Sequence, residues 1–213
     1  MKQQIYNPKL NEELTYHIES ISGAKTELIR NTRTVKMKCV FEGEGMRYFQ
    51  IKLIRSNCQN SSSSTVLRKM NMAFSYIMLE VTTNGEIMRV TNTKQIKEHW
   101  SKTKNDLSKD CAGEAFESLF RDIDKTMSDE QKFAKSMQHP KLYGLLFNNC
   151  WIYDDEQPEQ NIEITKQDDE SALLNIEPES PLQEKGSFLY DTKALKEGYI
   201  IRNDVRYDII RIA

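Results

Sequence analysis

Alternation of apolar and polar residues predicts β-strands in the first third of the chain. Residues 32–41 place Val35, Met37, Cys39 and Phe41 on one side and polar residues on the other, and residues 46–55 repeat this period of two. The intervening Glu-Gly-Glu-Gly at 42–45 is typical of a short hairpin loop. Residues 13–20 show the same alternation, so three strands precede residue 60.

The segment 74–107 marks the change from strands to helices. Asn84-Gly85 lies between two apolar, β-rich runs, which indicates a two-residue turn with positive φ. Such a turn predicts the cross-strand pairs Thr83 with Glu86, Val81 with Met88, Glu80 with Arg89 and Leu79 with Val90. The predicted inward side chains are Ile77, Leu79, Val81, Met88 and Val90.

Helical spacing begins after residue 92. Apolar residues recur at 96, 100 and 107, then at 116, 119, 120, 123 and 127, then at 133 and 137, and finally at 142, 145 and 146. Ser128-Asp129-Glu130-Gln131 resembles a helix N-terminal capping box. Residues 66–73 are ambiguous between a helical turn and the start of the following strand.

Strand patterns return near the C-terminus, at 187–190, 199–202 and 205–212. The order of strands, helices and strands predicts an α+β fold. We expect a curved antiparallel β-sheet with a helical insertion, about 93–148, packed on one face, and C-terminal strands completing the sheet. In a single domain 1–213, this gives N-terminal strands at 1–92, helices at 93–149 and strands at 186–213.

Charge divides the chain unevenly. Residues 25–69 contain ten basic and three acidic residues, whereas 154–184 contain eleven acidic residues and one lysine, Lys166. The acidic segment fits either a mobile loop or short edge strands at 161–165 and 172–176. Because the formal net charge is −2, the chain as a whole has no general attraction to nucleic acid or acidic membranes.

Residue patterns for catalysis and metal binding are absent from the sequence. The four cysteines are widely spaced and never form Cys-x-x-Cys, and the three histidines lack metal-ligand spacing. Gly43-x-Gly45 lacks the third glycine of a phosphate loop, and the acidic segment lacks the ordered calcium-loop pattern. We therefore predict no catalytic residue, no metal ligand and no cofactor.

Candidate contact residues come from alternation and from the junction after the helices. Lys36, Lys38 and Lys52 fall on the outer face of two adjacent strands, and Trp151 and Tyr153 form an aromatic junction. We predict these five as partner-binding residues of a non-enzymatic protein-binding module, of the adaptor, accessory or immunity type. The predicted partner is another protein, a homodimer is compatible with the pattern, and nucleic acid is disfavoured because the aromatic residues of an RNA-binding sheet are missing.

Two other functions stay open. One is a carrier of a hydrophobic small molecule in a sheet–helix cleft, and the other is an enzyme whose site is assembled from distant residues. The N-terminus has no apolar leader, and no apolar run approaches the roughly 20 residues of a membrane span, so we expect a cytoplasmic protein. The hairpin followed by Asn92-x-x-x-Ile96-x-x-x-Trp100 resembles a module of bacterial proteins, which implies a bacterial source. A secreted chain whose leader had been removed would show the same N-terminus.

Overall fold

The computed structural model describes residues 8–23, 28–59, 64–83, 85–111, 113–139, 141–147, 161–168, 171–177, 185–191, 194–202 and 204–213. These residues form ten strands and five helices. The strands are β1 Glu13–Ser22, β2 Ile29–Gly43, β3 Met46–Gln59, β4 Tyr76–Thr82, β5 Ile87–Val90, β6 Asn161–Asp168, β7 Ser171–Glu177, β8 Lys185–Asp191, β9 Ala194–Arg202 and β10 Val205–Arg211. The helices are α1 Ser64–Ala73, α2 Thr93–Asp110, α3 Glu114–Ser128, α4 Glu130–Met137 and α5 Gly144–Phe147.

All ten strands join one open antiparallel sheet in the order β5-β4-β3-β2-β1-β10-β9-β8-β7-β6. The first strand pairs with the last, with Tyr16 opposite Arg211 and Ile21 opposite Arg206. This pairing joins an N-terminal half of five strands to a C-terminal half of five strands, and α2 to α5 lie between the halves in sequence. The predicted curved α+β architecture is therefore confirmed.

The core lies between one face of the sheet and the helices. On that face, alternate residues of the strands are almost fully buried, because successive side chains of a strand point to opposite sides. From the helices, Trp100 and Leu145 are buried at 2% and 0% exposure. The buried residues of the central strands are Leu14, Tyr16, Ile18, Val35, Met37, Cys39, Phe49, Ile51, Leu53, Ile77, Leu79, Val81, Tyr207 and Ile209.

The β4–β5 hairpin differs from the predicted register at one point. Leu79 pairs with Val90 and Glu80 with Arg89 as predicted, but a register shift then places Val81 opposite Ile87. The predicted pair of Val81 with Met88 is therefore wrong, and Met88 is 48% exposed rather than inward. A β-bulge adds one residue to a strand, so the side chains beyond it point to the opposite face. Ile87 is therefore buried in place of Met88.

The turn itself keeps one predicted feature. Gly85 has φ +75°, the positive value that the Asn-Gly pattern predicts, while Asn84 lies outside the described residues. The predicted pair of Thr83 with Glu86 is replaced by a hydrogen bond from the amide of Thr82 to the carbonyl of Glu86 at 2.9 Å. The loop is consequently longer than the predicted two-residue turn.

The α4 end covers the edge strand β5. The side chain of Gln138 accepts a hydrogen bond from the amide of Ile87 at 2.8 Å and donates to the carbonyl of Gly85 at 3.3 Å. These bonds occupy backbone groups that an edge strand otherwise presents to other chains. The covered edge cannot readily extend the sheet.

A hydrogen bond between the buried indole of Trp100 on α2 and the half-buried carboxylate of Asp124 on α3 joins these two helices. Asp124 accepts hydrogen bonds from the indole of Trp100 and the ammonium of Lys104, both at 2.7 Å. Burial alone would raise the pKa of Asp124, but the hydrogen bonds from Lys104 and Trp100 outweigh it and hold the pKa below its ordinary value. Trp100 also packs against the rings of Phe74 and Phe120, with centroids 6.0 and 5.6 Å apart.

Arg33 on β2 connects the sheet to the segment between α4 and α5. The guanidinium of Arg33 donates to the carbonyl of Leu142 at 2.8 Å and lies 5.8 Å from the ring centre of Tyr143. The hydroxyl of Tyr143 donates to the carbonyl of Phe74 at 3.2 Å. These contacts fix the short helix α5 above the middle of the sheet.

The remaining ambiguities of the sequence are settled by the fold. Residues 66–73 belong to helix α1, and the acidic segment contains β6 and β7, which extend the sheet. At the C-terminus, Val205 pairs with Arg202 across the predicted turn, in which Asp204 has φ +60°.

Candidate functional site

The face of the sheet opposite the helices is left uncovered by the described helices. Its side chains alternate with the buried ones on every central strand, and they are half-buried or exposed. We call this the outer face. It has a basic part over β2 and β3 and a grooved part over β1, β10, β9, β8 and β7.

The basic part contains three of the predicted contact residues. Lys36 on β2 stands directly opposite Lys52 on β3, and Lys38 stands opposite Gln50. The ammonium of Lys36 lies 2.6 Å from a carboxylate oxygen of Glu13. We call Lys36, Lys38 and Lys52 the lysine patch.

The pKa of Glu13 is lowered by all three lysines of the patch. The hydrogen bond from Lys36 lowers the pKa of Glu13 most. Burial opposes it, and the charges of Lys36, Lys52 and Lys38 each lower the pKa further. Among the described residues, Lys36 forms an ion pair with Glu13, and Lys38 and Lys52 form none. The patch keeps a positive charge available to a partner.

The basic part continues toward β4 and β5 with paired polar groups. The side chain of Gln50 donates a hydrogen bond to the hydroxyl of Tyr76. Arg89 and Glu80 form the predicted cross-strand ion pair at 2.7 Å, and their exposed fractions are 55% and 15%. This end of the outer face is therefore neutral overall.

A groove of about 780 Å³ occupies the other part of the outer face. Its floor includes one row of neighbours in register across five strands, formed by Leu173, Leu189, Glu197, Ile210 and His17. We call this the outer groove. It exists because β1 pairs with β10, which brings residues from both ends of the chain onto one surface.

The second row of the outer groove is aromatic and charged. Arg206 binds Asp208 through two nitrogens at 2.7 and 2.9 Å and lies 4.6 Å from the ring centre of Tyr199. The carboxylate of Glu19 pairs with Arg30 at 3.2 Å. Because each of these charges is paired with an opposite charge, the pairs contribute to the shape of the groove and add little to its net charge.

The apolar part of the outer groove is open to solvent. Ile210 is 44% exposed, and Ile21, Leu173 and Leu189 also line the groove. Glu197 forms no ion pair within the described residues, so it gives the groove one uncompensated carboxylate. An occupant with apolar groups and a cationic group matches this lining.

The outer groove was not identified from sequence. The alternation at 206, 208 and 210 is visible in the sequence, but nothing there pairs this strand with residues 17–21. The other two predicted contact residues, Trp151 and Tyr153, lie outside the described residues.

Groups with potential chemistry are dispersed over the described part of the chain. No three His, Cys, Asp or Glu side chains among those residues are grouped so that they could hold a metal ion. Cys39 is buried, and burial raises the pKa of its thiol, while Cys58 and Cys111 are half-buried free thiols. Within the same residues, no helix combines the length and the apolar character needed to cross a membrane.

Comparisons with known proteins give no family. No protein-family model and no curated protein matches the chain. Among solved structures, one concerned with lipid–protein interactions in lipovitellin is similar with a TM-score of 0.48 and 8% sequence identity. The match covers 98% of this chain and 25% of the lipovitellin chain, so this chain spans a quarter of that length. A similarity of this size carries no information about what this chain binds.

Proposed function

We propose that the protein is a non-enzymatic protein-binding module whose outer face is the recognition surface. The observation that carries the proposal is the uncovered face itself, which joins the lysine patch to the outer groove. Contiguous exposed apolar residues with a polar rim mark interaction sites, and Ile210, Leu173 and Leu189 line the outer groove beside charged residues.

The size of the outer face supports a macromolecular partner. From β3 to β7 the sheet order runs through six inter-strand spacings, which at about 4.8 Å each give about 29 Å. A nine-residue stretch of β1 adds about 30 Å along the strands at about 3.4 Å per residue. The product is close to the roughly 800 Å² that each partner buries in a standard interface.

The shape of the outer groove argues against a small apolar ligand on this face. A small molecule gains affinity when about 70–90% of its surface is buried. The groove is open along its length, and Ile210 stays 44% exposed at its floor. A protein covers both the floor and the rim, and therefore removes more apolar surface from water.

Charge defines the partner further. The lysine patch favours carboxylates, and Glu197 in the outer groove favours a lysine or arginine beside apolar anchors. We propose a partner with an acidic patch and an apolar ridge that ends in a basic residue. The two are separated by the three or four strand spacings between the lysine patch and Glu197, roughly 14–19 Å. The proposed compartment is the cytoplasm, where free thiols such as those of Cys39, Cys58 and Cys111 persist.

The test compares charge reversals on two faces. The variant Lys36→Glu, Lys38→Glu, Lys52→Glu alters the lysine patch, and Lys94→Glu, Lys97→Glu, Lys102→Glu alters three exposed lysines of α2 by the same charge. Wild type and both variants are used as bait in the native host, and recovered proteins are quantified by mass spectrometry. The expected partner is lost with the patch variant and retained with the helix variant.

The outer groove has its own matched pair. Ile210→Glu places a charge in the groove, whereas Leu119→Glu places the same charge on α3, at a residue that is 39% exposed and is not part of the groove lining. With purified partner, the affinity should fall at least tenfold for Ile210→Glu and stay within twofold for Leu119→Glu. Equal binding by all variants, or recovery of nucleic acid that depends on the lysine patch, would contradict the proposal.

A further inference from the structure

A second concavity lies where the end of β3 meets α1 and α2. Its volume is about 840 Å³, within the roughly 300–1,000 Å³ typical of small-molecule sites. We call it the helix-side cleft. It shares no lining residue with the outer groove, so it stands independently of the proposed function.

The helix-side cleft exists because β3 is longer than its neighbour. β4 pairs with β3 only as far as Tyr76 opposite Lys52, and the later residues of β3 have α1 beside them instead of a strand. The side chain of Asn71 on α1 donates to the hydroxyl of Ser56 on β3 at 2.8 Å. A helix beside a strand edge leaves more space than a paired strand would.

A bulge directs β3 side chains toward this space. Leu53 pairs with Val35 and Arg55 pairs with Thr34, so Ile54 between them has no partner residue. Ile54 is consequently 54% exposed and lines the helix-side cleft. Bulges of this kind re-aim side chains, and they are common beside binding sites.

The cations of the helix-side cleft fall into two groups. Lys69 pairs with Asp110 at 3.1 Å, and Lys109 pairs with Asp106 at 2.9 Å, so both carboxylates of the lining are engaged. Arg55 and Arg68 line the same cleft and form no ion pair or side-chain hydrogen bond with any described residue.

The described lining residues of the cleft therefore carry a net charge of +2. The guanidinium groups of Arg55 and Arg68, which have no partner among the described residues, are suited to carboxylate or phosphate oxygens, which guanidinium binds through paired N–H groups.

Apolar surface lies beside the arginines. Met72 on α1 is 49% exposed and lines the cleft together with Ile54. A ligand that satisfies both kinds of lining needs an anionic head and an apolar body. A purely hydrophobic molecule, as in the carrier hypothesis from sequence, would leave the guanidinium groups without a counter-ion.

We propose that the helix-side cleft binds a small organic anion with a carboxylate or phosphate head and an apolar body of several carbons. Arg55 and Arg68 hold the head, while Ile54 and Met72 contact the body. The two lysine–aspartate pairs keep the cleft from attracting a second anion. No covalent step is involved.

Isothermal titration calorimetry on the full-length protein tests this site with defined probes. Octanoate and octyl phosphate carry head and body, 1-octanol carries the body alone, and inorganic phosphate carries the head alone. At least one of the two amphiphiles should bind with 1:1 stoichiometry and at least tenfold more tightly than octanol or phosphate. The better of the two identifies the head group.

Two double variants assign the binding to the helix-side cleft. Arg55→Ala with Arg68→Ala should weaken binding of the better amphiphile at least tenfold, because a hydrogen bond to a charged group is lost at each residue. Arg121→Ala with Lys125→Ala removes two exposed cations of α3 outside the cleft and should leave affinity within twofold. All four residues replaced are exposed, so equal thermal midpoints verify folding.

Three results would overturn the assignment. They are the absence of saturable binding by either amphiphile, equal affinity in the Arg55/Arg68 variant, and phosphate binding as tight as octyl phosphate. None of these concerns the outer face, so partner capture through the lysine patch succeeds or fails separately.

Discussion

Substitution of Gly85 tests the hairpin at which strands give way to helices. Gly85 has φ +75°, and its amide donates to the carbonyl of Thr82 at 3.1 Å. An L-residue in this region costs about 1–2 kcal/mol, and a β-branched residue costs more. Replacing glycine also lowers the conformational entropy of the unfolded chain, which stabilises the folded protein by about 0.4–1 kcal/mol. The carbonyl of Gly85 also accepts a hydrogen bond from Gln138, worth about 1 kcal/mol if the turn moves.

We expect Gly85→Val to destabilise the protein by about 2–3 kcal/mol from these terms. For a chain of this length, about 2–4 °C per kcal/mol makes the expected fall in Tm about 4–12 °C. Urea denaturation followed by circular dichroism measures the free energy of unfolding, and differential scanning calorimetry measures Tm.

Two controls separate strain from packing. Gly45 has φ +74° and no atom within 4 Å of an added Cβ, so Gly45→Val reports conformational strain alone. Gly85→Asn should cost less than the valine variant, because asparagine tolerates positive φ. If Gly85→Val leaves the midpoint unchanged while Gly45→Val lowers it, the reasoning about the turn is wrong.

Three further predictions concern single side chains. The pKa of Asp124 is lower in the folded protein than the value of about 3.9 in the unfolded chain, so its ionised form stabilises the fold above that pH and this stability is lost as the pH falls. Asp124→Asn should therefore flatten the dependence of unfolding free energy on pH between about pH 2 and 5, and an unchanged slope would contradict this. Burial raises the pKa of Cys39, so alkylation monitored by peptide mass spectrometry should modify it at least about tenfold more slowly than Cys58; equal rates would refute its burial. A Cβ on Gly198 would lie 2.4 Å from the ring of Phe188, so Gly198→Ala should cost about 1–3 kcal/mol in urea denaturation, and a wild-type midpoint would show that the ring moves freely.

The two concave surfaces have different origins in the strand pairing. The outer groove follows from joining the two chain ends in adjacent strands, and the helix-side cleft follows from a strand that outlasts its partner. Each surface collects side chains from at least three separate elements. This is why neither surface corresponds to a sequence motif.

Local features were predictable because they depend on near neighbours in the chain. The period of two placed Lys36 and Lys38 outward and Val35 and Met37 inward, since alternation is a property of any extended backbone. Helical spacing likewise predicted the burial of Trp100. The bulge that exposes Met88 was not predictable, because an extra residue in one strand is decided by the strand opposite.

By itself, then, the sequence determined which residues can share a face, where strands give way to helices and that the fold is α+β. The tertiary structure alone decided the pairing of β1 with β10, which places His17 beside Ile210 in the outer groove. The physical reason is that alternation sets the orientation of a side chain about its own strand, whereas a neighbour across the sheet is set by hydrogen bonds between segments almost 200 residues apart.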